Sequence, residues 1–264
     1  MMDSLLATDL DGTVIFASGV SQRDEEALRN WCRAGNTLVL DTGKSLDAVR
    51  HVWHEKGLPR PDYIIAFTGA VIADGDLDPL ISQQHEPGTL ATVAKLLEGE
   101  RVALYASDME RDYQVFNRVG TTSTILPRFQ PAEVPWLEHR PLFGIPVFVP
   151  RPDDQQRIRK ALEDALGDAV SVHRNQDFLD IVPAGATKGA ALRHLLDELV
   201  TDHGPVITLG DSWNDITMHE QADLSVTFTK SPPELVAQCD KAVDSAADLI
   251  DELLQEYSCS RSNR

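Results

Sequence analysis

Cysteine is scarce in this chain: three in 264 residues, Cys32, Cys239 and Cys259, widely separated and without a CxxC pair. An odd, scattered set excludes a disulfide framework, points to no structural zinc site and fits a reducing compartment. Positive charge is short as well. Lys and Arg number 24 against 42 Asp and Glu, a formal net charge of −18, so the basic face that nucleic-acid binding needs to displace counterions is missing. Small anionic ligands are not excluded, since charges farther apart than about 8 Å are largely screened in physiological salt. Long apolar runs are absent too, and the start, MMDSLLATDLDGT, offers no basic n-region or sustained apolar stretch before Asp9 and Asp11 interrupt it. Neither a membrane span nor an export signal is expected, and the cytoplasm is the expected location. No internal repeat or low-complexity tract is visible.

What is present is the composition of a folded enzyme: 42% hydrophobic and 25% charged residues, in a chain long enough for one large α/β domain or two smaller lobes. Short apolar runs alternate with helical-period stretches, which predicts a parallel sheet covered by helices. The strands are expected at Ser4 to Thr8, Thr37 to Leu40, Tyr63 to Phe67 and Val206 to Leu209. Ser21 with Asp24 three residues on marks a helix start, and the helix closes near Gly35; Ser45 opens a second that closes at Gly57. From about Ile81 the rhythm blurs and prolines accumulate between Pro127 and Pro152, which reads as an inserted module. It returns around Phe178 with FLDIV as a strand, followed by a helix over Thr187 to Leu199.

The stretch LVLDTGKS, Leu38 to Ser45, ends like a phosphate-binding P-loop. That loop needs a glycine five positions before Gly43, and Leu38 stands there instead, so no triphosphate cradle is formed. The stronger signal is ATDLDGT, where an apolar strand ends in Asp9 and Asp11. Side chains two apart on an extended segment share a face, which aims both at a pocket beyond the strand's C-terminal edge, where open α/β sheets bind ligands. A second acidic cluster, GDSWND with Asp211, Asn214 and Asp215, follows the strand VITLG. Four carboxylates on one sheet edge repel by several kcal/mol at low effective dielectric unless a cation sits among them. A hard divalent ion with oxygen ligands, Mg²⁺, is expected.

These segments together resemble the haloacid dehalogenase superfamily of aspartate-dependent phosphotransferases: DLDGT at Asp9 to Thr13, Thr42 in DTGKS, Lys188 in GATKGAAL and GDSWND at Gly210 to Asp215 are similar, in order, to its four motifs. The resemblance implies a Rossmann-like parallel-sheet core over residues 1–81 and 177–264, with an inserted α+β cap of the C2 type over 82–176. It implies that Asp9 is the nucleophile forming an aspartyl-phosphate, that Asp11 is the general acid and base, and that Thr42, Gly43, Lys188 and Asn214 bind the phosphoryl group. Mg²⁺ would be held by Asp9, the backbone carbonyl of Asp11 and Asp211, with Asp215 supporting them. Lys44 stands where many relatives carry Arg, as a possible substrate contact or the partner of an acidic neighbour. Phe67-Thr68-Gly69-Ala70 is similar to a segment that usually reads Asn-Gly-Ala in Cof-type members.

The cap would read the leaving group, with Arg111, Arg118, Arg128, Arg140, His173 and Asn175 as candidates. His51 and His54 are expected on a helix rim, and Trp31, Trp53 and Trp136 in packing. TGKSLDAV, VPAGATKGAAL and GDSWND are similar to stretches of sucrose-phosphatase-like and mannosyl-phosphoglycerate-phosphatase-like members, which implies a Mg²⁺-dependent phosphatase acting on a small phosphate ester, a sugar or polyol phosphate. The alternatives are a phosphosugar mutase with the same nucleophile and a non-catalytic phosphate-ligand sensor. Dehalogenation would leave Asp11 without a role.

Overall fold

Residues 3–16, 18–120 and 129–262 are described in a computed structural model, without side chains at 54 and beyond 256. The chain first lays down β1 (Leu5–Thr8), β2 (Thr37–Asp41) and β3 (Tyr63–Ala66), then turns back through β4 (Val71–Asp74) and β5 (Pro79–Ser82). Six strands of a second sheet follow: β6 (Ala103–Ser107), β7 (Asp112–Asn117), β8 (Gln130–Pro131), β9 (Ile145–Phe148), β10 (Val170–Asn175) and β11 (Phe178–Pro183). The chain then returns to the first sheet with β12 (Val206–Leu209), β13 (Leu224–Phe228) and β14 (Lys241–Val243). The large sheet has the order β14-β13-β12-β1-β2-β3-β4-β5, parallel from β14 to β3 and antiparallel at the β4 and β5 edge. The small sheet has the order β10-β11-β9-β6-β7-β8. This is the α/β core with an inserted α+β module that the sequence predicts.

Local chemistry sets the helix ends. Ser21 accepts a hydrogen bond from the Asp24 N–H at 3.0 Å and caps the helix Gln22–Arg33. Ser45 does the same for Ala48 at 3.0 Å and caps Leu46–Lys56, which ends on the left-handed Gly57. Leu6, Leu38, Leu40 and Ile207 pack one face of the large sheet against Leu28 and Trp31 of the first helix and Leu249 and Ile250 of the last, Ala246–Ser262. On the opposite face Leu5, Ala7, Val39 and Val206 meet Ala191 and Leu192 of the helix Lys188–His194. Trp31 and Trp53 are packing residues whose indoles donate to the carbonyls of Thr37 and Leu58. Among the described residues no helix is long and apolar enough to cross a membrane.

One expected boundary shifts. The sequence reading returns the chain to the core at residue 177, but that residue lies in the turn of a hairpin: β11 pairs with β10 and β9 of the small sheet. A fully buried run such as FLDIV does not reveal which sheet it joins, because this strand is covered on both faces. Leu179 and Ile181 face the module's helices, Thr89–Leu96 and Pro152–Leu166, through Leu90, Val93, Ile158 and Leu162. Val182 faces the other way and packs in the cluster of the large lobe, beside Phe67 and Phe143. The face of the small sheet that its own helices leave uncovered therefore lies toward the first lobe, and Asp180, in phase with Val182, lies on it.

Candidate active site

β1 ends at Thr8, yet Asp9 extends its ladder by one bond, donating from N–H to the Leu209 carbonyl at 2.9 Å. Asp9 thus continues the face of Leu5 and Ala7, over which the helix Lys188–His194 lies. Lys188, the first residue of that helix, is fully buried, and its Nζ stands 2.6 Å from Asp9 Oδ1 and 2.6 Å from Asp215 Oδ1. Burial by itself would strip the lysine of its proton; Asp215, Asp9 and Asp41 around it reverse that and hold it charged.

The oxygens of Asp215 are spent on structure. Oδ1 accepts from Lys188, and Oδ2 accepts from the N–H groups of Asp211 and Ser212, each at 2.9 Å. Thr13 Oγ1 stands between Asp211 Oδ1 at 3.0 Å and Asp9 Oδ2 at 3.3 Å. Asp9, Asp211 and Asp215 bring one carboxylate oxygen each within 4.8 Å of the others. Gly12, at φ +85°, has room only for hydrogen, since a Cβ there would meet Asp211 Oδ2 at 2.4 Å. The Asp211 carboxylate is therefore pressed against the Gly12 backbone, with the Asp9 carboxylate beside it. Burial, then Asp9 and Asp215, push Asp211 up to about 7. Hard carboxylate oxygens gathered in this way fit Mg²⁺.

Asp11 goes its own way. The Asp11 carboxylate lies 2.7 Å from Lys44 Nζ, outside the acidic triad. Burial raises Asp11 above the ordinary carboxylate range, with Lys44 opposing it. Asp9 is likewise raised by burial and held down by Lys188. Thr42 and Gly43 follow β2 on the same sheet edge; the Thr42 hydroxyl accepts from the Lys44 N–H at 3.2 Å. Asn214 is buried, with its Oδ1 unbonded within the chain.

The cap candidates separate. Arg118 lies over Phe116 and donates to the Leu97 carbonyl, Arg140 pairs with Asp108 and stacks on Trp136, and His173 bonds the Ala186 carbonyl. Arg111 lines a cleft of about 720 Å³ with Asp47, Arg50 and His51, and Arg128 lies outside the described residues. Of the five described candidates, Asn175 is placed against the loop that follows β2, its Nδ2 3.0 Å from where a Gly43 Cβ would stand. Its partner there, Asp180, escapes sequence reasoning, as do Thr13 and Asp41. Asp41 is fully buried with neither carboxyl oxygen hydrogen-bonded, and burial pushes it well above the usual carboxylate range.

Comparison with known proteins agrees with this geometry. The chain is 28% identical over 237 residues to a glucosylglycerol-phosphate synthase of Pseudomonas anguilliseptica, aligning 88% of itself with 27% of that longer protein. It is 28% identical to a mannosylfructose-phosphate phosphatase of Agrobacterium fabrum, over 88% of this chain and 86% of the other. A haloacid dehalogenase-like hydrolase of B. subtilis superposes with a TM-score of 0.80 at 20% identity, covering 95% of this chain and 99% of that one. The sequence model of the haloacid dehalogenase-like hydrolases matches residues 6–250, from β1 into the last helix and through every element of the site. The chain therefore belongs to the haloacid dehalogenase-like hydrolases, as a Cof-type member.

Proposed function

We propose that the protein is a Mg²⁺-dependent phosphatase of small phosphorylated metabolites, sugar or polyol phosphates, working through an aspartyl-phosphate on Asp9. The observation that carries this reading is the division of labour between two adjacent aspartates: Asp9 is bonded to Lys188 inside the acidic triad, while Asp11 is held apart by Lys44. In this reading one carboxylate attacks and the other moves protons. Asp9 displaces the alcohol from phosphorus, and Asp11, raised above the ordinary carboxylate range by burial, delivers a proton to the departing oxygen. In the second step the same group, now ionised, takes a proton from the water that attacks the acyl phosphate. Lys188, Thr42, Gly43 and Asn214 hold the phosphoryl oxygens. Asp9, the Asp11 carbonyl and Asp211 would hold Mg²⁺, which when bound offsets the negative charge of the phosphoryl group. The names of two relatives, for a glucosylglycerol phosphate and a mannosylfructose phosphate, support phosphorylated glycosides or polyols as the substrate class.

The test is inorganic phosphate release from a panel of sugar, polyol, nucleotide and cofactor phosphates, with Mg²⁺ and with chelator. Metal-dependent release confined to a few related esters, abolished in Asp9→Asn, is the expected result. Isomerised sugar phosphate without net phosphate release would replace the phosphatase with a mutase.

A further inference from the structure

Among the described residues, two consecutive non-glycine residues with positive φ sit beside the loop that follows β2. Phe67 and Thr68 both have φ of +52°, and Thr68 is β-branched, a residue type that pays most for the left-handed region. The strain aims the Thr68 hydroxyl across the lobe boundary, where it donates to Asp180 Oδ2 at 3.4 Å, the long limit for such a bond. Asn175 Nδ2 donates to the same oxygen at 3.1 Å. Gly43 lies directly beneath: a Cβ there would stand 2.9 Å from Asp180 Oδ2 and 3.0 Å from Asn175 Nδ2. A cavity of about 20 Å³ lies at this junction, walled by Gly43, Thr68 and Asp180 together with the apolar Ile145, Pro146 and Val182. That is room for a single water, or for one hydroxyl group. Burial lifts Asp180 to about 6, so it is largely an ionised acceptor at neutral pH and gains from a further donor.

We propose that Thr68, Asn175 and Asp180 form a hydroxyl-reading subsite, which receives a hydroxyl on the carbon next to the ester carbon of the substrate. Gly43 lies in the cavity wall and, in the phosphatase reading, in the phosphoryl-binding segment, so the subsite adjoins the place where the ester binds. The hydroxyl donates to Asp180 and replaces the long Thr68 contact; the Asn175 amide keeps the carboxylate in place. The ester class selected is one with vicinal oxygen functions, as in polyol and sugar phosphates, over simple alkyl phosphates. This rests on the phosphatase reading above.

The test compares n-propyl phosphate with the matching ester that carries one hydroxyl on the adjacent carbon, in the Mg²⁺-loaded full chain. The wild-type protein is expected to favour the hydroxylated ester in kcat/KM by roughly ten- to a hundredfold, the range for one hydrogen bond to a charged group. Asp180→Asn, which keeps the side chain's size, and Thr68→Val, which keeps its shape, should collapse that ratio and leave turnover of n-propyl phosphate unchanged. Variants that retain the ratio, or that lower both esters equally, would overturn the subsite while the phosphatase stands. Hydrolysis of neither ester, nor of p-nitrophenyl phosphate, by the wild-type protein would overturn the phosphatase reading and the subsite with it.

Discussion

Replacing Lys188 with Met removes the single cation that touches both Asp9 and Asp215 and keeps nearly the same volume. Both carboxylates are buried, and each loses a contact of 2.6 Å. Removing one partner of a buried pair costs about 3–5 kcal/mol, because the remaining charge is left uncompensated. That is a large fraction of the roughly 5–15 kcal/mol that holds an ordinary domain folded. The penalty should depend on pH in a definite direction. Asp9 and Asp211 already lie above the ordinary carboxylate range, and losing the lysine raises Asp9 further. The folded variant then binds more protons than its unfolded chain through the mildly acidic range, so its stability rises as pH falls. Urea denaturation with chelator present, followed by tryptophan fluorescence, should show the full loss near about pH 8 and a clearly smaller one near about pH 5.5. The triple variant Lys188→Met, Asp9→Asn, Asp215→Asn should recover most of the loss, since both carboxylates that lost the lysine are then neutral and only Asp211 of the triad still carries charge. A cost below about 1 kcal/mol, the range of an exposed ion pair, or one equal at both pH values, would refute the reasoning.

Asp112, which accepts from Ser45 and Ser107, is raised to about 6 by burial, so its contribution to stability is fully present below 3.8 and lost as pH rises through about 6. Asp112→Asn should therefore gain on the wild type across that window by about 2–3 kcal/mol, read as the change in urea-denaturation difference between acidic and neutral buffer. Ser45→Ala removes the cap of the helix Leu46–Lys56 and should cost about 1–2 kcal/mol in the same assay. Gly12→Ala would force a Cβ to within 2.4 Å of Asp211 Oδ2 at a left-handed position. Its melting temperature should no longer rise with Mg²⁺, whereas that of the wild type should.

What the sequence reveals and what it hides divide along physical lines. Ser21, Ser45 and Gly57 mark helix ends through contacts within a few residues, and the apolar runs before Asp9 and Asp211 announce buried strands, so these features read directly from local pattern. Thr42 and Lys188 are legible as an ordered set with them. The pairing of Asp11 with Lys44 is left open by the sequence, because it joins two loops that follow different strands. Phe178 to Val182 looks like a core strand because burial on both faces gives the same composition in either sheet. Asp180 is invisible for a different reason: its partner Thr68 lies 112 residues away on the other lobe. Arg118 and Arg140 are anchored at Leu97, Phe116 and Asp108 by contacts that no spacing announces, so charge alone does not mark them as substrate readers.

The most direct measurement is to mix the protein with a substrate ester and Mg²⁺, quench in acid within the first turnover, reduce with borohydride and map the product by peptide mass spectrometry. Borohydride converts an acyl phosphate to the alcohol and so marks the carboxyl that was phosphorylated. Homoserine at position 9, absent without substrate and absent in Asp9→Asn, is the expected result. Reduction at a different carboxylate, or turnover that survives in Asp9→Asn, would contradict the assignment of Asp9 as the nucleophile.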